Sequence, residues 1–218
     1  MTALDTFLFG FPLLFAVVNP IGMAFIFDEI AADLTTSDRN RLAGRISIYV
    51  LVVILVSLWG GALLLEAFGI SLGALRIAGG GLVAVHAWRL LESRSQYEKN
   101  VHVSPAEAAR RLHDQAFFPL TIPISMGPGT IATAIAIGAA HPAAGKGLFG
   151  FVVGTSAAVL GISFLIWFSY RYTALLTALL GDSGRQVFAR LFAFILLCVG
   201  MQIIVTGVVD IASGIVSS

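Results

Sequence analysis

A chain of 218 residues that is 58% hydrophobic and only 11% charged has too few charges for a water-soluble domain, where about a quarter of residues are charged. Mean hydropathy is +0.94, and a net charge of +1 with no basic patch points away from nucleic acid as a partner. A single cysteine, Cys198, lies in an apolar run, so neither a disulfide nor a cysteine-built metal site is expected.

A membrane-crossing helix needs about 20 mainly apolar residues. Six stretches qualify, at 4–30, 42–65, 71–90, 117–140, 147–170 and 187–212. The fold class is therefore an all-α polytopic membrane protein with six transmembrane helices. The start of the chain has no basic n-region, and no small-residue cleavage site follows the first run, so that run is expected to be a retained span.

The first run holds Asn19-Pro20-Ile21-Gly22 at its middle. Proline lacks an N–H and clashes with the preceding turn, so the helix is expected to break there. Inside a bilayer such a break is tolerated only where it faces protein or a polar cavity. Asn19 reads as the N-cap of a half-helix opened by Pro20, its side chain accepting from the N–H of Gly22 or Met23. It caps, contacts a ligand, or does both.

The second span is expected to begin before the membrane, near Thr36-Ser37-Asp38, carrying Arg39 and Arg45 at the interface. The third follows the glycine-led turn Gly69-Ile70-Ser71 and opens with Arg76; Gly73, Ile77 and Gly81 offer a partial small-residue seam. His86 reads as packing. The stretch 92–115 is the only long polar segment. Within it Ser104-Pro105-Ala106-Glu107 reads as a capping box for a short helix to about residue 113. Three units follow: a first three-helix repeat (1–91), a cytoplasmic linker (92–116) and a second, inverted repeat (117–218).

The fourth run repeats the interruption, as Gly127-Pro128-Gly129-Thr130 with Ser125 just before it. Gly129 and Thr130 are expected to offer unpaired N–H groups at a helix N-terminus, a place suited to a carboxylate. Ser125 and Thr130 add hydroxyls. Free carbonyls at the ends of the preceding half-helices suit an ammonium group or a coupling cation, Na⁺ or H⁺. No other cofactor is expected. In the fifth span Gly150, Gly154 and Ala158 allow close helix approach.

The sixth span is expected to follow a turn at Gly181-Asp182-Ser183 and to open with Arg190, the counterpart of Arg76. Each arginine reads first as snorkelling to headgroups; their matching positions raise the chance that they brace the broken helices. Gln202, deep in this span, reads as an interhelical hydrogen-bond donor or acceptor. Asp210 and Glu66 lie near the outer interface and His141 in an outer loop.

Eleven Lys and Arg fall on one side of this layout and only Arg76 and Lys146 on the other. The positive-inside rule then puts both termini outside. Three spans per half invert the second half relative to the first. Phe11-Pro12 and Phe118-Pro119 precede the two breaks in the same order. Two interrupted helices at matching places in inverted halves mark a transporter's binding site near the midplane.

No Asp, Glu, Lys or Arg lies near the middle of either broken span, which favours a zwitterion or a neutral solute. The glycines favour a small one. An intramembrane enzyme would want ionisable residues on a wet cleft, and none pair up, so catalysis is not expected. The alternative is an exporter of drugs or other small solutes. Nothing in the sequence signals an oligomeric state.

Val18-Asn19-Pro20-Ile21-Gly22, the Leu34-Thr35 turn, residues 123–130 and the arginine opening span six together resemble the MarC/SnatA family of bacterial and archaeal inner-membrane proteins. The likeness runs over essentially the whole chain. It implies transport of small neutral amino acids such as glycine and alanine across the inner membrane. One departure is Phe192-Ala193, where the resemblance implies a glycine.

Overall fold

A computed structural model describes residues 2–31, 34–92, 116–117, 121, 126–142 and 146–216. Seven α-helices and no strand lie among them: α1 (Ala3–Val18), α2 (Pro20–Ile30), α3 (Thr36–Ala67), α4 (Leu72–Glu92), α5 (Pro128–Ala139), α6 (Lys146–Arg171) and α7 (Thr173–Val216). The interior of the 92–116 linker with its expected helix, and Ser125, fall outside the described residues.

Helix α3 shows how the residues dictate the environment. Thr35 caps it, its hydroxyl accepting from the Asp38 N–H at 3.2 Å, which satisfies one of the orphan donors of the first turn. Leu42, Ile46, Val50, Ile54 and Leu58, four residues apart, are buried. The opposite face carries Ile48, Val52, Val56 and Leu63, all exposed. A helix apolar all round with only one face covered by protein requires lipid on the other. Four helical stretches are long and apolar enough to cross a bilayer: Ala3–Asp28, Thr36–Ala67, Gly147–Arg171 and Arg190–Ser213. Gly129–Ala139 is shorter and apolar.

Two seams of small residues hold the bundle. Helices α4 and α7 share the most extensive contact, and glycines set it. A Cβ on Gly80 would lie 2.7 Å from the Gly200 carbonyl oxygen, and one on Gly207 would lie 2.7 Å from that of Gly73. The pairing is crosswise, so the helices run antiparallel with backbones touching, as small residues permit in membranes. The seam uses Gly73 and Gly80, seven apart, whereas Gly81 meets open space; the seam expected through Gly73, Ile77 and Gly81 is corrected accordingly. The second seam joins α1 to α6. Gly154 faces Ala3 and Thr6, Gly10 faces Ala158, and Gly161 faces Phe11, so these helices run parallel.

The two short helices wedge between the long ones. Helix α5 starts against α4, Gly129 on Val83 and Ala132 on Gly79, and ends against α3, Ile135 on Gly61 and Gly138 on Leu58. Helix α2 packs on α6 and α7; Phe27 stacks on Tyr170 at 4.5 Å, and the Thr173 hydroxyl donates to the Ala24 carbonyl at 3.3 Å.

One expectation is overturned at the edge of this frame. No turn occurs at Gly181-Asp182-Ser183, because α7 is helical from Thr173 onward and Tyr172 alone separates it from α6. Arg76 pairs with Asp210, tying the start of α4 to the end of α7. A second ion pair, Arg39 with Asp28, ties α2 to α3.

Candidate functional site

The site begins with one residue that serves two helices. Asn19 is the C-cap of α1 and the N-cap of α2, with φ 49° and ψ 59°. That left-handed conformation is costly for most side chains, and Asn is among the few that tolerate it. Every backbone group of Asn19 is used: its N–H donates to the Phe15 carbonyl at 2.9 Å and its carbonyl accepts from the Met23 N–H at 3.0 Å. Its side-chain oxygen accepts from the Gly22 N–H at 3.2 Å. Asn19 is 4% exposed. An ordinary N-cap is extended; this one is left-handed because it must also end α1.

Its neighbours follow from that geometry. Pro20 is buried at the first position of α2, and without an N–H it leaves the Ala16 carbonyl without its helical donor. At Gly22 a Cβ would lie 2.9 Å from Asn19 Cγ and closer still to its amide nitrogen, so a side chain there would displace the capping amide. The capping amide thus occupies the place of the missing side chain.

The second motif is built differently. Gly127 caps α5 in an extended conformation, φ −73° and ψ 165°, with no side-chain cap. A Cβ there would meet none of the described residues within 4 Å. Pro128 opens the helix. Gly129 is buried against Val83. Thr130 is 2% exposed, and its N–H donates to the Gly127 carbonyl at 2.9 Å. This corrects the expectation that Gly129 and Thr130 both present free N–H groups. Proline has no N–H, Thr130 spends its own in a tight turn, and the Gly129 N–H is what remains.

Val83 links the two motifs. It clusters with Val17, two residues before Asn19, and fills the space beside Gly129. The residues before the break in the first span and the start of α5 are therefore linked through one small cluster that also holds Ala87 and Leu196. Gly129→Val is consequently a packing change before it is anything else. Gly129→Ala is expected to lower the melting temperature of the purified protein, and Val83→Ala combined with it is expected to restore most of the loss, because the second change vacates the volume that the first fills. Equal losses in the single and double variants would contradict this packing.

The supporting residues do not behave as a set. Arg76 is half-buried and paired, whereas Arg190 is exposed on α7. Gln202 is exposed too, and its backbone carbonyl accepts from the Thr206 hydroxyl at 2.9 Å. No side-chain hydrogen bond joins it to another helix among the described residues. Two residues missed in the sequence emerge instead. Thr133 is buried one turn after Thr130, a spacing that puts both hydroxyls on one face of α5. The Ser163 hydroxyl on α6 is buried with no hydrogen-bond partner among the described residues. Its signal was a lone hydroxyl in the apolar run 159–168. Among the described residues no cluster of His, Cys, Asp or Glu fit to hold a metal ion occurs.

Comparison with known proteins places these features in a lineage. A family model described as MarC family integral membrane protein matches residues 4–212. The inner membrane protein MarC of Citrobacter koseri is 33% identical over 211 residues, covering 93% of each chain. Those of Salmonella typhimurium and Escherichia coli are 32% and 30% identical, again over 93% of each chain. No solved structure matches.

Proposed function

The chain belongs to the MarC family of integral membrane proteins, and from that premise we propose that it is a secondary transporter of small neutral amino acids of the glycine and alanine kind. It works by alternating access around a site between the Asn19 break and the start of α5. The observation that carries this reading is Asn19 itself: a buried, left-handed residue, its backbone N–H and carbonyl both bonded, that stops one helix and starts the next inside an apolar span. A break of that kind at membrane depth is tolerated where it is buried in protein or lines a cavity, and in this reading it does the second as well as the first.

Asn19, Pro20 and Gly22 form one wall of this site. Gly127, Pro128, Gly129 and Thr130 form the other, with Ser125 preceding them. The Gly129 N–H and the positive end of α5 receive the substrate carboxylate. The carbonyls ending α1 receive the ammonium group or a coupling Na⁺ or H⁺. Thr130 contributes through its hydroxyl, its N–H being occupied. The side of Gly127 where no described residue lies within 4 Å of a Cβ gives the ligand room, and Arg76 bonded to Asp210 braces the frame.

The same reading organises the chain as a 3+3 inverted repeat with helices one and four broken. Reciprocal packing supports it: α5 of the second half wedges into α3 and α4 of the first, and α2 of the first packs on α6 and α7 of the second. Rocking one half against the other around the wedged helices exchanges access. By the charge count the protein is an inner-membrane protein with both termini outside. Export of drugs or other small solutes is the weaker reading, for the glycine-lined walls favour a small ligand.

Titration of the detergent-purified protein with glycine, alanine and leucine tests the ligand class. Binding of glycine and alanine with leucine at least tenfold weaker is expected. Equal binding of all three, or none, would overturn the substrate assignment.

A further inference from the structure

We propose that α7 is the contact face of a homodimer in which the Gln202 amides of two copies hydrogen-bond to each other. Gln202 stands at the middle of the apolar stretch Arg190–Ser213, and its side chain is exposed. Lipid tails offer an amide nothing, and a primary amide left unpaired in hydrocarbon is strongly disfavoured. None of the described residues covers it.

The side of α7 that the chain does use is the glycine seam. Gly200 sits against Gly80, and Gln202, two residues on, lies roughly 200° further round the helix at 3.6 residues per turn. It therefore faces away from α4. Around it Leu191, Phe194, Cys198, Met201, Val205 and Val208 are all exposed. They recur at alternating spacings of three and four, the period of a helix–helix seam. No charged residue interrupts 191–209.

A second copy fits this face better than an unrelated protein. A primary amide is donor and acceptor at once, so two identical amides related by a two-fold axis satisfy each other. Copies of one chain insert with the same topology, which makes the axis normal to the membrane and the two α7 helices parallel. The resulting contact is isologous, the commonest form of soluble homodimer. Interhelical side-chain amides of this sort are among the groups that drive association in bilayers.

Cys198, one turn before Gln202, is the only cysteine of the chain, so the full-length protein carries its own probe. In liposomes of the purified protein, copper-phenanthroline oxidation is expected to give a disulfide-linked dimer that Cys198→Ala abolishes. Counting of labelled molecules in liposomes is expected to show dimers whose dissociation constant rises about tenfold in Gln202→Leu and changes little in Gln202→Asn. Monomers at every protein density, dimers that Cys198 does not cross-link, or dimers indifferent to Gln202→Leu would each overturn the proposal. The cross-linking of the unmodified protein needs no variant to fold.

Discussion

Gly138→Ala is expected to abolish most of the folded protein. A Cβ at this position would fall on the Leu58 carbonyl group, where α5 ends against α3. A clash with a flexible side chain can relax by a change of rotamer. This one is with backbone, on both sides, and neither helix can give without losing the other contacts of the wedge, Ile135 on Gly61 and Ala132 on Gly79. Overpacking ordinarily costs about 1–3 kcal/mol and more where backbone must shift. A loss of at least about 3 kcal/mol, a large share of a typical protein's stability, is therefore expected. The check is the monodisperse peak and melting curve in detergent beside Gly44→Ala. That position on α3 has nothing within 4 Å, so alanine there should match or exceed wild-type stability by up to about 1 kcal/mol.

Asn19→Ala and Asn19→Gly are expected to separate folding from function. Alanine loses the cap to the Gly22 N–H, about 1 kcal/mol, and meets the left-handed backbone at a further cost of about 1–2 kcal/mol. Glycine accepts that backbone freely and gives up only a few tenths as a cap. Asn19→Gly should therefore reach the membrane at wild-type levels and melt within a few degrees of it, while Asn19→Ala falls clearly below. Alanine binding should weaken at least tenfold in Asn19→Gly, about 1.4 kcal/mol, because the amide that lines the break is gone. Unchanged binding in a stable Asn19→Gly would reduce Asn19 to a structural cap.

Much of this was legible in the residues, for a physical reason in each case. Apolar runs with little charge mark the four stretches long and apolar enough to cross a membrane, and proline opens a helix at Pro20 and Pro128, whereas Pro12 is carried inside α1 without a break. The cap from Asn19 to Gly22 follows from the chemistry of an amide placed before proline. The left-handed turn at Asn19 was hidden, because whether the break starts a helix afresh or also ends one depends on how the halves are packed. Thr130 looked like a free donor until the tight turn at Gly127 took its N–H. Gly181 looked like a turn, yet one glycine costs a helix only about 1 kcal/mol, less than the rest of α7 supplies. The Arg76–Asp210 pair joins residues 134 positions apart, beyond any local pattern. The α4–α7 seam was written at a spacing of seven, in Gly73 and Gly80 and again in Gly200 and Gly207, where a spacing of four was sought.

The central claim, that the break at Asn19 serves transport of small neutral amino acids, is tested most directly by flux of radiolabelled alanine into proteoliposomes loaded with unlabelled alanine. Wild-type protein is expected to accumulate label transiently above protein-free vesicles, excess glycine to suppress the signal, and an imposed Na⁺ or H⁺ gradient to change its rate. Asn19→Gly, folded and inserted to the same level, is expected to show little of it. Label uptake no greater than in empty vesicles, or an Asn19→Gly signal equal to wild type, would contradict the account.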